Sequence, residues 1–234
     1  MNGNKIQTNS AGFINLLITE SLGALNDNAF KFFITLMAAA TLPMGEAAQI
    51  IALAGFCFIL PFILFSSFAG TMADKFSKKR IIVVLKIAEL ILMLFSFIPI
   101  YYGNLPGLLF VLFLMGIHSA FFGPVKLAIV PELLEDKDIS NGNGLMSMMA
   151  FLGIIIGAAS AGVLMSLVKG SFYLATPFFA VVALTGVITS LFVPNVEAVG
   201  SVEKFGFNIL ARISADINDL QSHATIYRAQ MAAA

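Results

Sequence analysis

The chain has no tryptophan, one cysteine and two histidines among its 234 residues. Charge is scarce as well: 13 basic and 13 acidic residues cancel, and together they make up 11% of the chain. Each shortage excludes something. Cys57 stands alone in an apolar run, so it can form neither a disulfide framework nor a Cys-x-x-Cys pair, and it is expected to pack as a small hydrophobe. No His/Cys/carboxylate cluster has the spacing of a metal site, so neither metal nor cofactor is expected. Zero net charge, without a basic surface interleaved with aromatics, offers nucleic acid nothing to bind. Gly-x-Ser-x-Gly, His-x-x-x-x-Asp and Walker runs are missing, so this chain by itself is not expected to be an enzyme.

Apolar surface is what the chain has in excess. Hydrophobic residues make up 59%, phenylalanine alone accounts for 23 positions, and the mean hydropathy is +0.95. Soluble domains carry roughly 45–50% apolar and about 25% charged residues. The composition therefore specifies an integral membrane protein. A helix crossing the bilayer needs about 20 predominantly apolar residues, and six segments meet that need: 12–40, 47–72, 80–101, 106–130, 144–168 and 171–193. The opening MNGNKIQTNS lacks the basic region, short apolar core and cleavage site of a signal peptide, so the first segment is expected to remain as a span.

The breaks between segments orient them. LPMGEA (42–47) and YYGNLPG (101–107) carry no Lys or Arg, whereas DKFSKKR (74–80) carries four basic residues. Basic residues in short loops mark the cytoplasmic side. The 74–80 loop, Lys5, Lys204, Arg212 and Arg228 then face the cytoplasm, with Lys169 alone in an outer loop. The expected organisation is a cytoplasmic N-terminus (1–11), a six-span unit (12–193) and a cytoplasmic linker (194–234), with both ends inside. Within the linker, 205–220 has the mixed character of an interfacial helix, and the closing YRAQMAAA reads as the first turn of a truncated seventh span.

Ionisable residues inside spans are costly and point to function. In LGALNDNAFKFF (22–33), Asp27 stands between Asn26 and Asn28, with Lys31 one turn later. At 3.6 residues per turn, Glu20, Asp27, Lys31 and Thr35 share one stripe, with Ser21 and Asn28 beside it. Lipid cannot solvate such a stripe, so it must face protein or water. Asp27 and Lys31, at i and i+4, have a salt bridge to each other as the alternative to a site role. The fourth span adds His118, Ser119, Gly123, Pro124 and Lys126. Here too the bland reading stays open: a hydrogen-bonded helix contact for His118, snorkelling for Lys126. Lys86 and Glu89, at i and i+3 in the third span, read as a structural pair in which Lys86 snorkels to the cytoplasmic face.

One loop carries a resemblance. GTMADKFSKKR, from Gly70 through Asp74 to Lys78, Lys79 and Arg80, is similar to the G-x-x-x-D-[RK]-x-G-[RK]-[RK] loop of the major facilitator superfamily, with Ser77 in place of the second glycine. Asp74 is placed to cap the next helix. In the superfamily this loop is a conformational latch between the two halves. Gly144, Gly153, Gly157 and Gly162 resemble the small-residue run of superfamily antiporters, with Ala158 replacing its proline and Ala161 a glycine. Such residues let helices approach closely in lipid. The resemblance implies an all-α transmembrane fold: the six-helix N-terminal half of a twelve-helix protein, built of two inverted three-helix repeats, with spans one and four lining a central cavity. A missing C-terminal six-helix half would supply the opposite wall, so one half is not expected to transport unless it dimerises.

Within the superfamily, LGALNDNAFKFF, AFFGPVKLAIVPELL (120–134) and NGNGLM (141–146) resemble the bacterial lysophospholipid transporters, including forms fused to an acyltransferase and an acyl-ligase. The resemblance covers about residues 15–165. Many members have an acidic residue after Asn-Gly-Leu, where this chain has Ser147 and Met148. It implies a lysophospholipid of the lysophosphatidylethanolamine type, moved from the outer to the inner leaflet of the bacterial inner membrane for re-acylation. Asp27, Lys31, Asn26, Asn28, Glu20, His118 and Lys126 would bind it, with its acyl chain against Phe121 and Phe122. Two alternatives stand beside this: a proton-coupled drug or metabolite antiporter, and a membrane module serving a fused or associated acyltransferase.

Overall fold

The computed structural model describes residues 10–195. The linker from residue 196 onward, the 205–220 segment, the closing turn and the flanking Lys5, Lys204, Arg212 and Arg228 lie outside the described residues. What is described is helical throughout. Helix α1 (Ser10–Thr41) runs 32 residues, with Gly12 and Gly23 as isolated glycines and no proline. It stops against Pro43, because the residue before a proline is driven out of the helical region. Pro43 then serves as N-cap of α2 (Met44–Lys75), with ψ 150°. So short a connection forces the two helices to run antiparallel.

The third span is α3 (Lys78–Phe95) continued by α4 (Phe97–Tyr101), joined through Ser96, whose backbone stays helical. Pro99 in α4 cannot donate to the residue four earlier, which accounts for the break at this point. Asn104 caps α5 (Leu105–Leu133) by accepting from the Gly107 backbone N–H at 2.9 Å. The 136–138 turn leads to α6 (Ile139–Val168), which ends on Lys169 and Gly170, both with positive φ. A left-handed pair at this point satisfies the helix end and turns the chain back. After a single turn at Phe172–Ala175, α7 (Thr176–Leu191) is the last helix described.

These helices cover the six apolar segments of the described residues. Five are long and apolar enough to cross a membrane by length and composition. Helix α1 is as long as α2, but its stripe of charge lowers its hydropathy. It is packed inside the bundle, where lipid does not have to solvate that stripe. The packing also repeats itself: α1 lies along α6 and α7 as α5 lies along α2 and α3, while α1 meets α5 and α3 meets α7. Exchanging the first three spans with the last three maps these neighbours onto one another. Because the two sets of spans cross in opposite senses, the repeat is inverted.

Two apolar clusters occupy the interior. One gathers Phe30, Phe33, Met37, Met115 and Phe179, with Phe179 edge-on to Phe30 at 5.4 Å and to Phe33 at 5.6 Å. The other gathers Phe13, Leu16, Ile82, Phe122, Ile129 and Met146. Along α1, α3 and α5 the same order holds: one cluster, a short polar stretch, then the other cluster. The polar stretches therefore form a layer between the two clusters.

Candidate functional site

The layer is built on two faces of α1. Toward α3, Asn26 donates through Nδ2 to Glu89 Oε1 at 2.9 Å, and Glu89 Oε2 accepts from Lys86 at 2.8 Å. His118 of α5 closes the group, with Nε2 3.7 Å from Glu89 Oε2 and its ring stacked on Phe122. All four polar side chains are buried, and the Lys86 ammonium lies 4.8 Å from the Phe122 ring centre. The expected Lys86–Glu89 pair is present, but Lys86 does not snorkel. It sits about 12 Å along α3 from Lys78 at 1.5 Å per residue, and Glu89 and the Phe122 ring hold it inward. Gly23 makes room for it: a Cβ there would collide with the Lys86 ammonium.

Toward α5, Asp27 Oδ2 accepts from the Ser119 hydroxyl at 2.5 Å, and Glu20 pairs with Lys126. Glu20 and Asp27 are seven residues apart on α1, as are Ser119 and Lys126 on α5, so the two contacts stack along one seam. Lys126 thus reaches across to α1 instead of snorkelling to the cytoplasmic surface. One turn beyond Asp27, half-buried Lys31 donates to Asn28 Oδ1 at 3.0 Å and lies 5.1 Å from the Phe58 ring centre. The alternative of an Asp27–Lys31 bridge is not adopted. Thr35 turns its hydroxyl to the Phe32 carbonyl. Among the described residues, three buried polar atoms in the layer find no hydrogen-bond partner: Asn26 Oδ1, Asp27 Oδ1 and His118 Nε2.

Helix α6 supports α1 from behind. A Cβ on Gly153 would collide with the Ser21 carbonyl oxygen and stand 2.9 Å from Ala24 Cβ, and one on Gly157 would collide with the Leu25 carbonyl oxygen. Among the described residues, nothing lies within 4 Å of the corresponding points at Gly144 and Gly162. Gly153 and Gly157 thus seat α1, while Gly144 and Gly162 face open space among the described residues. At about 100° per residue, Gly144 points opposite to Gly153, and Gly162 lies about 140° from Gly157. Ala161, on the same stripe as Gly157, is fully buried.

The 70–80 loop is arranged differently from its expected capping role. Asp74 is exposed in the last turn of α2, and Ser77 takes the N-cap position of α3, its hydroxyl donating to Asn195 Oδ1 at 3.0 Å. Lys78 is buried and pairs with Glu132 of α5 at 2.5 Å. Lys79 is half-buried, Arg80 is exposed, and among the described residues nothing lies within 4 Å of a Cβ placed on Gly70. An apolar cavity of about 310 Å³ lies between α3 and α5, lined by Leu85, Leu92, Leu114, Ile117 and Phe121, with His118 at its polar edge. Phe121 also packs on Phe65 and Phe68. Phe122 is buried against His118, which removes it from the surface an acyl chain could use.

The Major Facilitator Superfamily model matches residues 16–226. The chain belongs to the major facilitator superfamily. It is thus a multi-pass membrane protein of that superfamily, and the inverted packing of its helices is the superfamily's half-fold. Among curated proteins it is similar to the lysophospholipid transporter LplT of Serratia proteamaculans (28% identical over 192 residues, 81% of this chain and 44% of that protein). The LplT of Yersinia enterocolitica is 27% identical over 195 residues, 82% of this chain and 45% of that protein. The LplT of Salmonella enteritidis is 29% identical over 158 residues, 66% of this chain and 36% of that protein. The chain spans about half the length of the curated relatives it matches.

Three contributors escaped the sequence reading: Gly23 and Glu132, which it did not single out, and Glu89, which it read only as the local partner of Lys86. The available signal was register: Gly23 and Asn26, at i and i+3, mark the second polar face of α1.

Proposed function

We propose that this superfamily member forms the headgroup-binding half of a lysophospholipid transporter. The observation that carries the reading is a pair of ionisable side chains that enter no ion pair among the described residues. Among the described residues, ion pairs take up Glu20 with Lys126 and Lys86 with Glu89. Asp27 and Lys31 keep neutral partners only, Ser119 and Asn28, about 6 Å apart along α1. A zwitterionic headgroup brings the complementary charges, an amine for Asp27 and a phosphate for Lys31. The name of the relatives supplies the lysophospholipid class, and lysophosphatidylethanolamine fits the zwitterion. Its single acyl chain keeps to apolar surface such as the cavity beside Phe121.

In this reading both ends of the chain face the cytoplasm of a bacterial inner membrane. A second six-helix half supplies the opposite cavity wall, and the lipid moves from outer to inner leaflet for re-acylation by a fused or associated acyltransferase. The 70–80 loop latches the halves. Uptake of lysophosphatidylethanolamine into proteoliposomes carrying the full protein tests it: Asp27→Asn should abolish most uptake, and unchanged uptake would refute it. A proton-coupled antiporter is the second reading, favoured by the unpartnered His118 Nε2 beside Glu89. It requires that uptake collapse when a proton gradient is dissipated.

A further inference from the structure

Helices α2 and α3 both pack on α5 far more than on each other, and the apolar cavity of about 310 Å³ lies between α3 and α5. Ile91, which lines it, is 59% exposed, so the cavity is a groove that reaches the outer surface of the bundle. Leu85 and Leu92 stand about 10 and 21 Å from the start of α3 at 1.5 Å per residue. That is the middle of a hydrocarbon core about 30 Å thick, and Val84, Ile87 and Leu94 of the same helix are exposed around it. The chemistry of the groove narrows what can lie in it. Among the described residues its one polar lining side chain is His118, itself buried. A buried water needs about two to four polar partners, so the groove stays dry. A peptide segment would bring backbone N–H and C=O groups with nothing to pair them. What remains at this depth is hydrocarbon. An engineered apolar cavity of about 150 Å³ takes up benzene, and this groove has about twice that volume.

We infer that the α3–α5 groove seats one acyl chain of a bilayer phospholipid. Ala88, the one small side chain among the groove's lining residues, leaves the room for it, and Phe121, packed on Phe65 and Phe68 of α2, stands at its end. The chain does two things there. It gives packing partners to a stretch where α3 and α5 leave a gap. It also lays hydrocarbon against His118, the residue that touches both the groove and buried Glu89. The lipid thereby keeps water from the Lys86–Glu89 pair, whose side chains are each 1% exposed. A lysolipid whose chain keeps to this surface exchanges one hydrocarbon chain for another, so the seat does not depend on which headgroup the protein carries.

Fluorescence of the full protein in proteoliposomes reads the occupant directly. This chain has no tryptophan, so Phe121→Trp places a reporter at the end of the groove, and Leu184→Trp, on the exposed face of α7, reports the bulk bilayer. Each is read as the difference from its parent protein. A phospholipid brominated along its acyl chains should quench Phe121→Trp. Adding Ala88→Leu, which fills the groove, should remove much of that quenching and leave Leu184→Trp quenched as before. Absence of quenching at Phe121→Trp means that a protein segment covers the groove, and overturns the inference. Quenching that Ala88→Leu does not change places the chain outside the groove and overturns it as well. Thermal unfolding is the second measurement, and it needs no change at Phe121 should that variant fold poorly. In lipid-poor detergent, Ala88→Leu should raise the melting temperature by about 2–4 °C, as cavity filling commonly does in a chain of this length. Added phospholipid should then stabilise the wild type more than Ala88→Leu. Equal stabilisation of the two would contradict a lipid seated at this point.

Discussion

Replacing Gly157 with alanine puts a methyl group where the backbone of α1 already stands. Its ideal Cβ collides with the Leu25 carbonyl oxygen and lies 3.0 Å from the Leu25 carbonyl carbon and 3.1 Å from the Ala29 nitrogen, against 3.4–4 Å for ordinary contact. These are main-chain atoms of a long helix, so no side-chain rotation relieves the clash and α1 must move. Overpacking of this kind costs about 1–3 kcal/mol. At about 2–4 °C per kcal/mol for a chain of this size, the melting temperature should fall by about 2–12 °C. Gly162→Ala is the internal control. Among the described residues nothing stands within 4 Å of its Cβ, and losing a glycine from a helix interior is neutral or favourable by up to about 1 kcal/mol. Thermal unfolding of the detergent-purified protein compares the two directly. Equal melting temperatures, or greater damage from Gly162→Ala, would refute the α1–α6 seat.

The buried group on α3 makes further predictions, each checked by thermal or denaturant unfolding. Lys86→Met should destabilise by about 3–5 kcal/mol, because Glu89 keeps a buried charge without its partner. Lys86→Met/Glu89→Gln should recover much of that loss, since the amide oxygen still accepts from Asn26 while the charge is gone. Gly23→Ala should cost about 1–3 kcal/mol through its clash with the Lys86 ammonium. Combined with Lys86→Met it should add less than the sum of the two, because both changes displace the same group.

Much of the fold was legible because a membrane imposes a simple rule on sequence. Runs of about 20 apolar residues mark spans, and proline, glycine and polar breaks such as Leu42–Pro43 and Tyr102–Asn104 mark where each ends. The Glu20–Asp27–Lys31 stripe was legible for the same reason: helical spacing places these residues on one face whatever surrounds them. Partner choice was not. Sequence spacing allows Asp27 to bridge to Lys31 on its own helix, but Ser119 and Asn28 take those positions, and tertiary contact decides between such options. Lys86 shows the same limit, since its local pair with Glu89 is readable while its burial depends on a gap that Gly23 leaves in another helix. The glycines of α6 do not all meet the same surroundings. Matching a pattern grouped four residues, whereas angular position on the helix separates Gly153 and Gly157 from Gly144 and Gly162.

The central claim is that Asp27 reads the amine of a zwitterionic lysolipid. A cycle combining Asp27→Asn with an amine-free lysolipid tests it most directly, by measuring binding of lysophosphatidylethanolamine and its hydroxyl analogue to both proteins. If Asp27 contacts the amine, removing either partner costs affinity, removing both costs little more, and the coupling falls within about 0.5–3 kcal/mol. Additive losses, with a coupling of zero, would place the amine elsewhere and contradict the account.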